Sequence, residues 1–303
     1  MDSILKNDNQ DEQNRDLQRQ DSKVYYQSVE SSQGSKWLKK AYAIFKQAKG
    51  TWIGIGSFIF IASLLPVLST VVIILMPLLV GGLMIGCNKT SSDSPMKFEY
   101  LFSGFKQGFQ PLLVLSLINL VVLILVILLT LEISTWFGLD LSLLVPQNIE
   151  SGETEELIAW MQSIDPALFL RTFLMGMLIF LTLMLPVFMA FWFAPALVCL
   201  RLVAPVNALK MSFTGCTKNK TAFFLYGLVA IGYMLMFFFA LTLIASFAAP
   251  LMLPVSIVGY IAGFSISLIS IYTSYLDVFP DHDINNSDND SVNESPNDGN
   301  MLA

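Results

Sequence analysis

Charged residues are scarce in this sequence. Of 303 residues, 13% are Asp, Glu, Lys or Arg and 54% are hydrophobic, whereas a soluble domain has about 25% charged residues. This composition argues against a soluble globular protein. Several uncharged runs exceed the length of about 18 apolar residues that indicates a membrane-spanning helix. We therefore interpret the chain as an integral membrane protein.

Residues that carry catalysis or bind metals are scarce as well. The only histidine, His282, lies in an acidic C-terminal tail. The three cysteines have no C-x-x-C spacing, which argues against a disulfide framework and against a zinc site. No phosphate-binding loop or hydrolase motif is present. We therefore expect no catalytic residue, no metal and no cofactor, and we predict that the protein is not an enzyme.

What the sequence does have is long blocks without charge. The block from 51 to 86 would be about 54 Å long as one helix, but the hydrocarbon core of a bilayer is only about 30 Å thick. We interpret it as a hairpin that turns near 65–70, and we divide the last block near 248–254 in the same way. The sequence thus predicts six spans, at about 51–66, 69–86, 111–131, 172–200, 222–247 and 254–276.

The basic residues support six spans. All lysines and arginines except Arg171 then lie on the side of the N-terminus, as expected for cytoplasmic segments, and the outer loop 132–171 is acidic. If 51–86 crossed only once, the basic loops 87–110 and 201–221 would lie outside. We predict a multi-pass membrane protein with both termini in the cytoplasm. Its membrane domain, 35–276, lies between polar tails, 1–34 and 277–303, which we expect to be disordered.

Three basic, aromatic segments precede pairs of spans, at 36–52, 96–112 and 205–224. We interpret them as amphipathic helices at the cytoplasmic face that bind anionic lipid headgroups. Their recurrence predicts three helical-hairpin pseudo-repeats, although similar composition in unrelated flanking segments is an equal alternative. Other membrane proteins or a second copy of the chain are further expected partners, and nucleic acid is not. The predicted interfacial anchors are Trp37, Lys39, Lys40, Lys46, Trp52, Lys106, Lys210, Lys218 and Lys220.

The expected fold is therefore an all-α, polytopic membrane helix bundle. Within its spans, Asn119 and Ser116 are the candidate intramembrane polar site, since polar groups at depth bind a solute or bond to a neighbouring helix. Pro186 and Pro195 are candidate kinks, either structural or of the kind that opens a transporter site.

Four stretches resemble an uncharacterised, proteobacterial-type family of six-span inner-membrane proteins. They are "GSKWLKKAYAIFKQAKGTWIGI", "LVGGLMIGCNK", "MKFEYLFSGF" and "FAPALVCLRLVAPVNALKMSFTGCTKNKTAFFLYG". A more distant resemblance is to the membrane domain of bacterial glycerophosphodiester phosphodiesterases, but this chain lacks their soluble catalytic domain. The resemblance implies architecture and location only. The leading hypothesis is a non-catalytic role in envelope organisation or membrane-protein interaction, and the alternative is a transporter or channel for a small or lipophilic solute.

Overall fold

The computed structural model describes residues 25–90, 95–144, 158, 160 and 162–280. All regular elements in this part of the chain are helical, so the all-α prediction is confirmed for it. The helices are α1 Gln33–Gln47, α2 Lys49–Leu64, α3 Pro66–Thr90, α4 Phe109–Trp136, α5 Pro166–Phe191, α6 Ala194–Arg201, α7 Pro205–Lys218 and α8 Lys220–Val278, with 3₁₀ segments at Phe98–Phe105 and Leu141–Leu144.

Four stretches of the described chain are long and apolar enough to cross a membrane. They are Pro66–Thr90, Phe109–Trp136, Pro166–Arg201 and Lys220–Val278. The apolar helix α2 is shorter, at about 24 Å. These lengths agree with a helical membrane protein, and the count of six crossings stays a prediction.

Helix α8 contains a sharp reversal. Ala248 has non-helical backbone angles, φ −149° and ψ 59°, because Pro250 cannot donate to the helical ladder and its ring clashes with the preceding turn. The two halves then run side by side, with Tyr226 Oη 2.7 Å from Ser270 Oγ. The break predicted near 248–254 is therefore present and forms a helical hairpin. A second break, at Leu65 before Pro66, falls within the predicted turn at 65–70.

The predicted span 172–200 is interrupted instead of continuous. Helix α5 ends at Phe191 and α6 begins at Ala194, with Pro195 in its first turn, where a missing N–H costs nothing. Pro186 lies inside α5, which continues through it. The break therefore belongs to Pro195 and not to both prolines.

Both tails were predicted too long, because residues at the inner end of each tail belong to the folded part of the chain. Gln27 N donates to Val278 O at 2.9 Å, and α1 already begins at Gln33, so residues 25–34 are part of the fold. Asp277 lies in the last turn of α8 and is not a tail residue. The rest of both tails, 1–24 and 281–303, lies outside the described residues.

Two of the three segments predicted to be interfacial helices differ from the amphipathic α-helix that was expected. The segment 96–112 contains the 3₁₀ helix Phe98–Phe105 where an α-helix was expected. In α7, the bulky apolar side chains of Val206 and Phe213 are exposed. Burial falls on a stripe of small residues, because small side chains let helix backbones approach closely. The stripe consists of Ala208, Ser212, Gly215 and Cys216.

The chain divides into two compact units, residues 1–56 with 218–303 and residues 57–217. The first unit packs α1 and the start of α2 on α8. The second packs the C-terminal half of α3 on the Phe98–Phe105 segment, the start of α4 and α6. Burial differs between the long helices, since half of the most apolar window of α3 is buried but only 6% of that of α8.

Candidate functional site

The predicted intramembrane polar pair lies on α4. Ser116 is fully buried and Asn119, one turn later, is half-buried. Ser116 Oγ has no hydrogen-bond partner among the described residues, and the same holds for Thr172 Oγ1 on α5. An unpaired buried hydroxyl costs about 1–3 kcal/mol, so a bound polar group would gain most there. Ser116 and Asn119 do not bond to each other, and no assembled site results.

The strongest polar constellation joins α1 to the C-terminal end of α8. The fully buried Trp37 donates from Nε1 to the Asp277 carboxylate at 2.9 Å. Lys40 Nζ reaches both carboxylate oxygens, at 2.8 and 2.9 Å. Thr273 Oγ1 donates to the Trp37 carbonyl at 3.1 Å. Hydrogen bonds to an ionised carboxylate are about twice as strong as neutral ones, so these residues, the Asp277 cluster, fasten the two helices together.

The ring of Trp37 contacts the other end of α8. Its centroid is 5.0 Å from that of Phe223 and 6.0 Å from that of Tyr226. One side chain of α1 therefore touches both arms of the α8 hairpin. Gly34, one turn earlier, lies so close to the Ala222 carbonyl that a methyl group would collide with it. The sequence places no side chain at this position, and α1 can therefore seat directly on the α8 backbone.

The extended segment 25–30 closes over the same end of the unit. Asn219, almost fully buried, accepts from Val29 N at 2.7 Å and donates to Gln27 O at 2.9 Å. Lys218 Nζ lies 4.6 Å from the centre of the Tyr26 ring, within cation–π distance. Asn219 thus satisfies the backbone of a segment that has no sheet or helix to do so.

The break between α5 and α6 is sealed from within the second unit. Ser212 Oγ on α7 accepts from Phe193 N at 2.9 Å and donates to Met189 O at 2.8 Å. Ser212 and Phe193 are both fully buried. One hydroxyl therefore satisfies an amide and a carbonyl that the interrupted helix leaves without helical partners. An open, substrate-binding helix end would require these groups to be free.

The predicted interfacial anchors fall into two groups. Trp37 and Trp52 are at most 1% exposed, and Ser265 Oγ donates to the Trp52 carbonyl at 3.0 Å. Both indoles therefore pack inside the protein, and a role as lipid anchors is corrected to a role in the core. The lysines of the set are exposed, namely Lys39, Lys40, Lys46, Lys106, Lys210, Lys218 and Lys220.

Sequence reasoning missed Asp277, Asn219 and Ser212. Asp277 had a weak signal, because it is the first acidic residue after the last apolar block, and the sequence also has Trp37 and Lys40 spaced about one helical turn apart. Asn219 and Ser212 had none, because one polar residue in a basic loop looks the same whether it faces water or caps a distant backbone.

The comparisons agree with a membrane location. No protein-family model matches the chain, and no solved structure is significantly similar to it. The chain is similar to a curated protein of Burkholderia thailandensis named a probable inner membrane protein, with 28% identity over 252 residues that cover 76% of this chain and 86% of that protein. This similarity supports the resemblance to inner-membrane proteins and gives no support to the glycerophosphodiester phosphodiesterase resemblance.

Proposed function

We propose that this chain is a multi-pass protein of a bacterial inner membrane that acts without catalysis, in envelope organisation or in binding other membrane proteins. The exposed apolar side chains of its long helices carry this proposal. Leu128, Leu185 and Phe247 are 55%, 61% and 88% exposed. Soluble proteins rarely expose contiguous apolar patches of more than a few hundred Å², whereas lipid is the natural surrounding of such a surface.

Six crossings are the count that best fits the helix breaks. The α8 hairpin gives two arms of bilayer length, and the break at Leu65 divides the block 51–86 at its middle. With the N-terminus in the cytoplasm, every basic residue except Arg171 then lies on the cytoplasmic side, as the positive-inside rule requires. The three pseudo-repeats belong to this proposal too, with one flank a 3₁₀ helix in place of an α-helix.

The topology is tested on the whole protein by thiol labelling. We expect Glu155→Cys in the outer loop to react with a membrane-impermeant maleimide in intact spheroplasts, and Lys210→Cys to react only after the membrane is opened. Lys210 is exposed, so a failure of Lys210→Cys to react in intact spheroplasts shows that the membrane blocks the maleimide, and not that the side chain is buried in the protein. Reaction of both positions, or of neither, in intact spheroplasts would refute the six-span arrangement.

Anionic lipid is the partner best matched to the outer side of α1. The buried side of this helix is covered by α8, so the side left free carries Lys36, Lys39 and Lys46 and no acidic residue. Lys46 Nζ also lies 5.0 Å from the centre of the exposed Tyr42 ring. Each lysine near an anionic surface contributes about 1 kcal/mol.

The lipid proposal is tested by changing Lys36, Lys39 and Lys46 to glutamine. In vesicles that contain phosphatidylglycerol, we expect α1 of the variant to be less protected from protease than α1 of the parent protein. In vesicles of phosphatidylcholine alone, we expect the two proteins to be equally protected. Equal protection of parent and variant in both vesicles would remove anionic lipid as a partner of α1. Binding of membrane proteins is tested separately by a photo-crosslinker at Phe247, for which lipid adducts alone would argue against a protein partner.

A transporter or channel is the second candidate, and Ser116 is the observation that favours it. A buried hydroxyl without a partner is a place for a polar solute. The sealed break at Phe193 is evidence against it, since it leaves no free helix end to bind a substrate. Ser116→Ala and Asn119→Ala should reduce flux of a transported solute if this candidate is right. Unchanged flux in both would exclude this polar pair as the path.

A further inference from the structure

Five phenylalanines form a continuous strip on the second unit. Ring centroids are separated by 5.7 Å between Phe58 and Phe102, 6.2 Å between Phe98 and Phe102, 6.3 Å between Phe102 and Phe105, and 6.5 Å between Phe105 and Phe109. Four of these rings remain exposed even though they touch each other. We call Phe58, Phe98, Phe102, Phe105 and Phe109 the phenylalanine strip.

The opposite side of the 3₁₀ segment is held tightly against α3. A methyl group on Gly82 would lie 2.6 Å from both the Tyr100 and Leu101 carbonyl oxygens, and one on Gly104 would collide with the Leu78 carbonyl. Leu101 is fully buried. Glycines on both sides thus allow the two backbones to touch, and the position of the strip along α3 is fixed.

Two helices independently give the distance of the strip from the lysines at their ends. Phe58 follows Lys49, the first residue of α2, by about 13 Å along the helix axis. On α3, the contacts with the 3₁₀ segment run from Leu78 to Gly86, about one to three helical turns before Lys89. If Lys49 and Lys89 mark the cytoplasmic boundary, as in the proposed topology, the strip lies below the headgroups and not among them.

We propose that residues 98–105 are a re-entrant segment, and that the phenylalanine strip contacts lipid acyl chains in the cytoplasmic leaflet. The inference rests on the membrane location of the proposed function, and it replaces a surface-lying segment with an inserted one. Irregular backbone is tolerated at this depth when protein covers it, as α3 does here. Lys97 and Lys106 at the two ends are exposed and long enough to extend to the headgroups. Lys97 Nζ lies 3.8 Å from the Glu99 carboxylate, so Glu99, the charged residue at the start of the segment, is paired with a lysine that reaches the membrane surface. Acyl chains match the strip because it is continuous with the exposed apolar surface of α2.

The proposal is tested in vesicles of phosphatidylethanolamine and phosphatidylglycerol. An environment-sensitive fluorophore is attached to Phe102→Cys, to Leu125→Cys as a mid-span control and to Tyr25→Cys as a polar control. Quenching by nitroxide on lipid acyl chains is compared with quenching by aqueous iodide. We expect lipid quenching to exceed iodide quenching several-fold at Phe102 and Leu125, and the reverse at Tyr25. Phe98→Cys serves as a second strip position where the first variant does not insert.

The controls separate this inference from the membrane proposal. If iodide quenches the fluorophore more than lipid nitroxide does at Leu125 in addition to the strip positions, the membrane proposal itself is wrong. Lipid quenching at Leu125 together with iodide quenching at both Phe98 and Phe102 would overturn the re-entrant segment alone. Protection of both strip positions from both quenchers would also overturn it, and crosslinks between copies at these positions would identify a second chain as the occupant.

Discussion

The Asp277 cluster makes a quantitative prediction about how α1 is held. Trp37→Phe keeps an aromatic ring against Phe223 and removes the Nε1–H that donates to Asp277. A hydrogen bond to a charged group contributes about 1.5–3 kcal/mol, and a change of about 1.4 kcal/mol is a factor of ten in an equilibrium constant. Opening of α1 should therefore become about ten- to a hundredfold more frequent.

Lys40 should matter far less, although its contact with Asp277 is equally short. The Lys40 side chain is 46% exposed and that of Asp277 20%, and exposed ion pairs contribute about 0–1 kcal/mol. Lys40→Met, which keeps most of the apolar stem, should increase opening at most about fivefold. Combining Trp37→Phe with Asp277→Ala should cost less than the sum of the two single changes, because both remove the same bond.

The assay measures the opening of α1 directly. Ala41 lies on the buried side of α1 and is fully buried, so Ala41→Cys reacts with a maleimide only when the helix lifts away. All variants carry this substitution, and its own cost cancels in their ratios. The buried native Cys87, in the other unit, is the internal control and should label at an unchanged rate. Equal effects of Trp37→Phe and Lys40→Met, or strict additivity in the double variant, would refute the reasoning.

Three further predictions test other contacts. Gly82→Ala should cost about 1–3 kcal/mol by pushing the 3₁₀ segment away, seen as a lower unfolding temperature, whereas Gly263→Ala, which meets open space, should cause no loss. Ser212→Ala should cost about 1–3 kcal/mol by removing the hydroxyl that bonds to both Phe193 N and Met189 O, and an unchanged unfolding temperature would contradict the sealing role. Burial raises the pKa of the Cys216 thiol to about 12, against a weaker lowering by its bond to Ser212. It should therefore stay protonated and unreactive towards maleimide at pH 8, while the exposed Lys210→Cys labels readily in opened membranes.

Apolar block lengths and prolines were enough to predict the helical content and the positions of two breaks. Pro250 and Pro66 act locally, through a missing N–H and a ring clash, so their effect can be predicted from a few neighbouring residues. At Phe193 a kink was expected from Pro195, but its stabilisation through Ser212, 19 residues away, could not be predicted. A proline indicates where a helix can be interrupted, but a distant partner decides whether it is.

The Asp277 cluster shows the same limit over a longer distance. Trp37 and Asp277 are 240 positions apart, and no local pattern pairs them. Trp37 and Phe45 lie on one side of α1, and both are buried. The apolar spacing of the segment 36–52 could not show that α8, and not lipid, covers that side, because an apolar stripe has the same spacing in both cases.

The position of the core of the first unit has a physical explanation in the proposed topology. Between apolar helices in hydrocarbon there is no hydrophobic driving force, since lipid tails are as apolar as the side chains. At the cytoplasmic ends of that topology, water is present, and burying Trp37 removes apolar surface from it, at about 25 cal/mol per Å². The first unit therefore gains most by packing where α1 meets water, next to its lysines. The same reasoning makes the exposed apolar sides of the two α8 arms a surface that lipid satisfies fully, so any protein that binds there must do so through close packing or hydrogen bonds and not through apolar burial.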